Sequence, residues 1–248
     1  MKTILSHLYR GNNSRFWVTL VIVTCLMLTL LLNPVLDDLR DGGEMAQGYH
    51  KVLVLNALTS NSWSIFTPIL AGIPFAAEYV EDIKSKFARF LLIRECFGGY
   101  LLGQMLACWL CGGLSVVLGA GVAYELTVLL LTPVEQVVTN YTPANICIGE
   151  HIALLFLNGG LWALLGMTLG TIMESKYVAY ASPFIAYYLL VILYERYFPD
   201  VWLLYPKNWL NPEIWPYGIG GAALFLLELT FLCGLVFYIR GRRGLAQL

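Results

Sequence analysis

Trp17–Leu32 reads WVTLVIVTCLMLTLLL and carries no charged side chain. An α-helix rises about 1.5 Å per residue and a bilayer core is about 30 Å thick, so this run, with flanks from Phe16 to Leu36, is long enough to cross. Lys2, Arg10 and Arg15 precede it, as basic residues precede a signal peptide's apolar run. The run is too long for a signal peptide, however. Asn33-Pro34 and Asp37-Asp38 also stand where small residues would mark cleavage. The segment therefore reads as a retained transmembrane helix.

The rest of the chain has the same character. Of 248 residues, 58% are hydrophobic and 12% charged, with a mean hydropathy of +0.70. Soluble domains carry about 25% charged residues, and one with this composition would have no way to hide its apolar surface from water. Five further apolar stretches follow, at roughly 57–79, 98–124, 151–173, 177–194 and 217–239. The expected fold is a single all-α membrane domain over 1–248, with six transmembrane helices and both termini cytoplasmic. Pro68 and Pro74 predict a kinked or locally unwound second span. Glycines in the third and fourth spans predict close helix packing.

Positive charge sets the orientation, because Lys and Arg concentrate in cytoplasmic segments. With the N-terminus inside, the inner segments hold eleven of the 15 basic residues: Lys2, Arg10, Arg15, Lys84, Lys86, Arg89, Arg94, Lys176, Arg240, Arg242 and Arg243. The outer segments hold Arg40, Lys51, Arg196 and Lys207. The net charge of −1 argues against a nucleic-acid partner.

Between the spans, three segments carry information. Residues 1–15 place Ile4, Leu5 and Leu8 on one helical face, as in an amphipathic helix at the inner surface or a plain basic flank. Residues 80–95 follow the second span. Tyr79, Ile83, Phe87 and Phe90 form an apolar stripe, with Glu81, Asp82, Lys84, Ser85 and Arg89 away from it. Mixed charge around an apolar ridge reads as a docking surface for a soluble partner, the alternative being a solvated connector resting on lipid. Residues 198–216 hold Trp202, Trp209 and Trp215, with prolines that forbid one continuous helix. A broken or re-entrant element at the outer leaflet is expected, serving as interfacial anchor or substrate gate. The outer segment Tyr124–Glu150, which includes LTVLLLTP, has the apolar character of a segment holding a short helix at the outer surface, and Asn140-Tyr141-Thr142 matches a glycosylation sequon on the outer side.

Catalytic chemistry is hard to find. The chain has no phosphate-cradling loop, no dinucleotide fingerprint, no nucleophile elbow and no zinc-protease motif. His7, His50 and His151 lie far apart. Cys108 and Cys111 form a C-x-x-C inside a span with no second pair, and read as packing residues. Glu228 is the exception, a carboxylate at the centre of the sixth span, where ionisable groups are costly. It serves either a substrate or proton path, or a hydrogen bond to Gln104, Asn158 or a dimer mate.

Ala76–Arg94, AAEYVEDIKSKFARFLLIR, gives the pattern a family resemblance. The stretch from Phe66 to Arg94, with an acidic residue after the second span and a Leu-Leu-x-Arg ending, resembles small bacterial permeases of second-type ATP-binding-cassette exporters. The wider plan is similar too: an amphipathic start, six spans, a tight inner turn between the fourth and fifth spans, and an aromatic outer element. The resemblance implies a dimer of permeases, of like or unlike chains, in the bacterial cytoplasmic membrane. It implies a separate ATPase subunit that holds ATP and magnesium, with no cofactor on this chain. It casts Glu81–Arg94 as the coupling helix that rests in an ATPase groove, with Glu81, Asp82, Lys84, Lys86, Phe87, Arg89 and Arg94 as contacts. Permeases that expel antimicrobial peptides share this size and topology, as do drug and lipid exporters. A secondary transporter using Glu228 is the competing reading, although no inverted repeat supports it. An intramembrane enzyme or an assembly scaffold stands further off.

Overall fold

The computed structural model describes residues 10, 14–40, 49–92, 96–133 and 148–246. Among them the secondary structure is helical, with no strand. The elements are α1 (Ser14–Arg40), α2 (Tyr49–Thr59), α3 (Asn61–Gly72), α4 (Glu78–Lys84), α5 (Phe87–Leu92), α6 (Phe97–Leu131), α7 (Ile148–Ile172), α8 (Lys176–Ile192) and α9 (Gly218–Ala246). Five helices are long and apolar enough to cross a membrane: α1, α6, α7, α8 (with its extension to Tyr197) and α9.

The expected second span is not one helix. The Ser60 side chain accepts a hydrogen bond from the Trp63 amide at 3.2 Å and starts α3 afresh. At the other end Pro74 has no amide to give the Leu70 carbonyl, and the Ile73 amide takes that carbonyl instead at 3.3 Å. The backbone then runs through turns from residue 73 to 77 before α4. The expected unwinding therefore falls at Pro74, whereas Pro68 lies inside α3.

Other boundaries also move. Within the outer segment 124–150, where a short surface helix is expected, the first residues continue α6 as far as Leu131, and residues 134–147 lie outside the described residues. Helix α9 runs on through its three arginines to Ala246. The expected amphipathic start and the sequon lie outside the described residues, Arg10, Ser14 and Arg15 excepted.

Helix α7 is the hub. Its most apolar window is 67% buried, against 22 to 39% for the other four long helices. Small residues let α6 approach it closely: a Cβ on Gly112 would sit 2.3 Å from the Ala163 Cβ. The turn from α7 to α8 is tight, with the Ser175 amide donating to the Gly170 carbonyl at 3.1 Å and Glu174 in the left-handed region at φ 52°. A Cβ on Gly170 would meet Ala179 at 2.5 Å, so glycine there lets the two helices pair.

The bundle has two recognisable ends. At one, α1 begins and α4 lies against it through an Arg15–Glu81 ion pair, and the last turns of α9 reach Tyr79. At the other, Tyr49 donates to Asp38 and Lys207 donates to Asn61. Three short 3-10 turns (202–204, 206–210 and 212–214) cap this second end, two of them opened by Pro206 and Pro212. They form the broken aromatic element, but not as a surface anchor alone. Trp209 and Trp215 are buried, and Trp209 stacks on Trp162 of α7 at 5.7 Å. Their indole N–H groups donate to the Leu203 and Asn208 carbonyls at 2.8 and 2.9 Å. Trp202 packs edge-on against Trp215 at 4.8 Å. The element plugs the bundle because its polar tips are satisfied within the chain.

Candidate functional site

Helix α4 puts Glu78, Glu81 and Asp82 at i, i+3 and i+4, so three carboxylates share one side of a helix shorter than two full turns. Left alone they would repel one another. Two arginines from the start of the chain offset them. Arg10 forks onto Asp82, Nη1 to Oδ2 at 2.9 Å and Nη2 to Oδ1 at 2.7 Å, and its Nη2 also donates to Glu78 at 3.0 Å. Arg15 donates to both oxygens of Glu81, at 3.0 and 3.3 Å, and pairs with Glu78 at 3.6 Å.

Two residues of α6 complete the cluster. The Tyr100 hydroxyl donates to Asp82 Oδ2 at 2.8 Å, and the Gln104 amide donates to the same oxygen at 2.9 Å. Tyr180 of α8 accepts from Arg15 at 3.2 Å. Behind the cluster, buried Tyr79 donates to the Gly241 carbonyl of α9 at 2.9 Å. Helix α4 is thereby bonded to α1, α6 and α9, and through Arg15 linked to α8.

Electrostatics follow from this packing. Burial pushes the Glu78 carboxyl above the ordinary carboxylate range, with the neighbouring Asp82 and Glu81 charges in the same direction, while Arg10 and Arg15 oppose the rise. The hydrogen bond to Asp82 strengthens the Arg10 guanidinium's hold on its proton against the cost of burial.

The expected docking residues now separate. Asp82 is buried and satisfied inside the bundle, so it does not belong to an exposed surface. Glu81 is occupied by Arg15. Lys84, Lys86, Phe87, Arg89 and Phe90 are exposed, with Phe87 at 42% and Phe90 at 68%. Arg94 lies outside the described residues. The expected continuous helix over 80–95 is two helices. Lys86 sits between them at φ 61°, where an L-residue is strained, and turns α5 away from α4. Arg10 spans the joint, its guanidinium 5.1 Å from the Phe87 ring.

The expected intramembrane site also comes apart. Glu228 is exposed on α9, whereas Gln104 and Asn158 are buried. Gln104 belongs to the Asp82 cluster. Among the described residues no three His, Cys, Asp or Glu side chains group as metal ligands.

Sequence reasoning found the exposed basic residues and missed the buried cluster. A signal for it was present: three carboxylates within five residues require counter-charges, and the charge distribution puts Arg10 and Arg15 on the same inner side.

The fold defines a multi-pass, all-α membrane protein. No protein-family model matches the chain, and no curated protein matches it in sequence.

Proposed function

We propose that this chain is the permease subunit of an ATP-driven exporter in the bacterial cytoplasmic membrane, powered by a separate ATPase that docks on the α4–α5 connector. The observation that carries the reading is the exposed face of Lys84, Lys86, Phe87, Arg89 and Phe90 on a connector whose other face is fastened into the bundle. Two aromatic rings ringed by cations suit an acidic groove on a soluble protein.

In this reading the chain crosses six times. The second crossing consists of α3 and the turns at 73–77, since Asn61 starts at Lys207 and Glu81 ends at Arg15. The partner binds ATP and magnesium, and its closure pushes on α5. Because α4 is bonded to Arg15, Tyr100, Gln104 and Gly241, the push reaches α1, α6 and α9 together. Two such permeases, of like or unlike chains, would enclose the path. The resemblance to peptide-expelling permeases makes an antimicrobial peptide the first substrate to try. The ion-gradient alternative loses ground because Glu228 faces outward, whereas carboxylates of proton paths face the interior or a water-filled cavity.

The test is triple charge reversal, Lys84→Glu, Lys86→Glu and Arg89→Glu. All three positions are exposed, so the protein should reach the membrane at normal abundance yet lose ATPase binding and transport. Undiminished transport would reject the docking assignment.

A further inference from the structure

Helices α6 and α9 leave a groove of about 620 Å³ on the outside of the bundle. Leu102, Leu106 and Trp109 form one wall, and Leu227, Phe231 and Leu235 the other. Gly234 lets the helices meet at its base, since a Cβ there would lie 2.7 Å from the Met105 sulfur. The groove ends at Tyr238. A second cavity of about 340 Å³ begins at that same tyrosine and is lined by Ile239, Arg242 and Arg243. Both arginines are exposed and neither has an ion-pair partner among the described residues.

An apolar trench that runs into two unpaired cations has the polarity of an anionic amphiphile. From Leu227 to Tyr238 the helix rises about 16 Å at 1.5 Å per residue, which is a length suited to an acyl chain. We propose that the groove and its arginines bind one anionic phospholipid, its acyl chain between α6 and α9 and its phosphate on Arg242 and Arg243. The phospholipid would hold α6 and α9 together from outside, next to the Tyr79–Gly241 hydrogen bond that ties α9 to the connector. The site requires only that the chain sits in a bilayer, so it stands or falls apart from the exporter reading.

A general basic flank would attract anionic lipid around the protein without holding a molecule in place. Native mass spectrometry of the detergent-purified full chain separates the two, using phosphatidylglycerol and phosphatidylcholine of identical acyl chains. Each arginine near a membrane surface contributes about 1 kcal/mol toward anionic lipid, so with two arginines the retention of one phosphatidylglycerol over phosphatidylcholine should be on the order of thirtyfold. Arg242→Gln with Arg243→Gln should erase that preference. Leu102→Trp, which narrows the groove from an exposed position, should lower phosphatidylglycerol occupancy with the arginines intact. Glycerol 3-phosphate should fail to displace the lipid. Equal retention of both lipids by the unaltered chain would overturn the proposal, as would a preference that survives the arginine substitutions. Displacement by glycerol 3-phosphate would also overturn it, by showing a site for soluble phosphates. Unchanged occupancy in Leu102→Trp would do so as well, by showing that the groove is not used.

Discussion

Asp82 accepts four hydrogen bonds, two from Arg10 and one each from Tyr100 and Gln104. Removing one partner of a buried ion pair costs about 3–5 kcal/mol, because the other charge is left without compensation. Arg10→Ala, which strands the buried Asp82, should therefore lower stability by about that amount, read as a fall in thermal midpoint in detergent, with Asp82→Ala costing less because the Arg10 it strands is partly exposed and keeps Glu78. Glu78 behaves differently. Its folded-state carboxyl holds its proton to higher pH than the unfolded chain's. The folded state thus binds more protons between the ordinary carboxylate value and the raised one, and stability falls as pH climbs through that window. Glu78→Gln should flatten the decline and leave the protein at least as stable at neutral pH. A thermal-midpoint series against pH for both chains checks this, and a loss as large as that of Asp82→Ala would refute it. None of this cluster was derived from the sequence, since charge counting reveals how many arginines lie inside but not which carboxylate each one reaches.

At the scale of elements, hydropathy located α1, α7 and the core of α9 well, because an uninterrupted apolar run has one stable solution in lipid. It failed at α6, where a helix outlasted its expected length, and at the connector. Residues Ser85 and Lys86 contain no glycine or proline, and the Tyr79–Phe90 spacing is compatible with one helix. Tertiary packing overrides that propensity by burying Tyr79 and Asp82 while Phe87 turns outward. The left-handed residue at the joint makes a specific prediction. Lys86→Gly should be neutral or stabilising by up to about 1 kcal/mol, and the β-branched Lys86→Val should destabilise by about 1–2 kcal/mol. Chemical denaturation of the two variants against the unaltered chain measures the difference. The aromatic cap was legible as a broken element from its prolines, but its burial was not, because Trp209 and Trp215 find their acceptors within the same segment.

Over the whole molecule, the proposed exporter would use these pieces as one mechanical path. The exposed face of α5 is one end of it, the Arg10–Asp82 fork is the joint, and α1, α6 and α9 are the levers. That path has a use only if something pushes on α5, and the chain itself carries no nucleotide-binding motif. The most direct test is therefore to purify the tagged full chain in mild detergent from its own cell, after mild crosslinking, and identify by mass spectrometry what accompanies it. The account predicts an ATPase with a G-x-x-x-x-G-K-[ST] loop at about one copy per permease, lost on charge reversal of Lys84, Lys86 and Arg89. A preparation with no ATPase, despite crosslinking, would contradict the exporter assignment and return attention to Glu228.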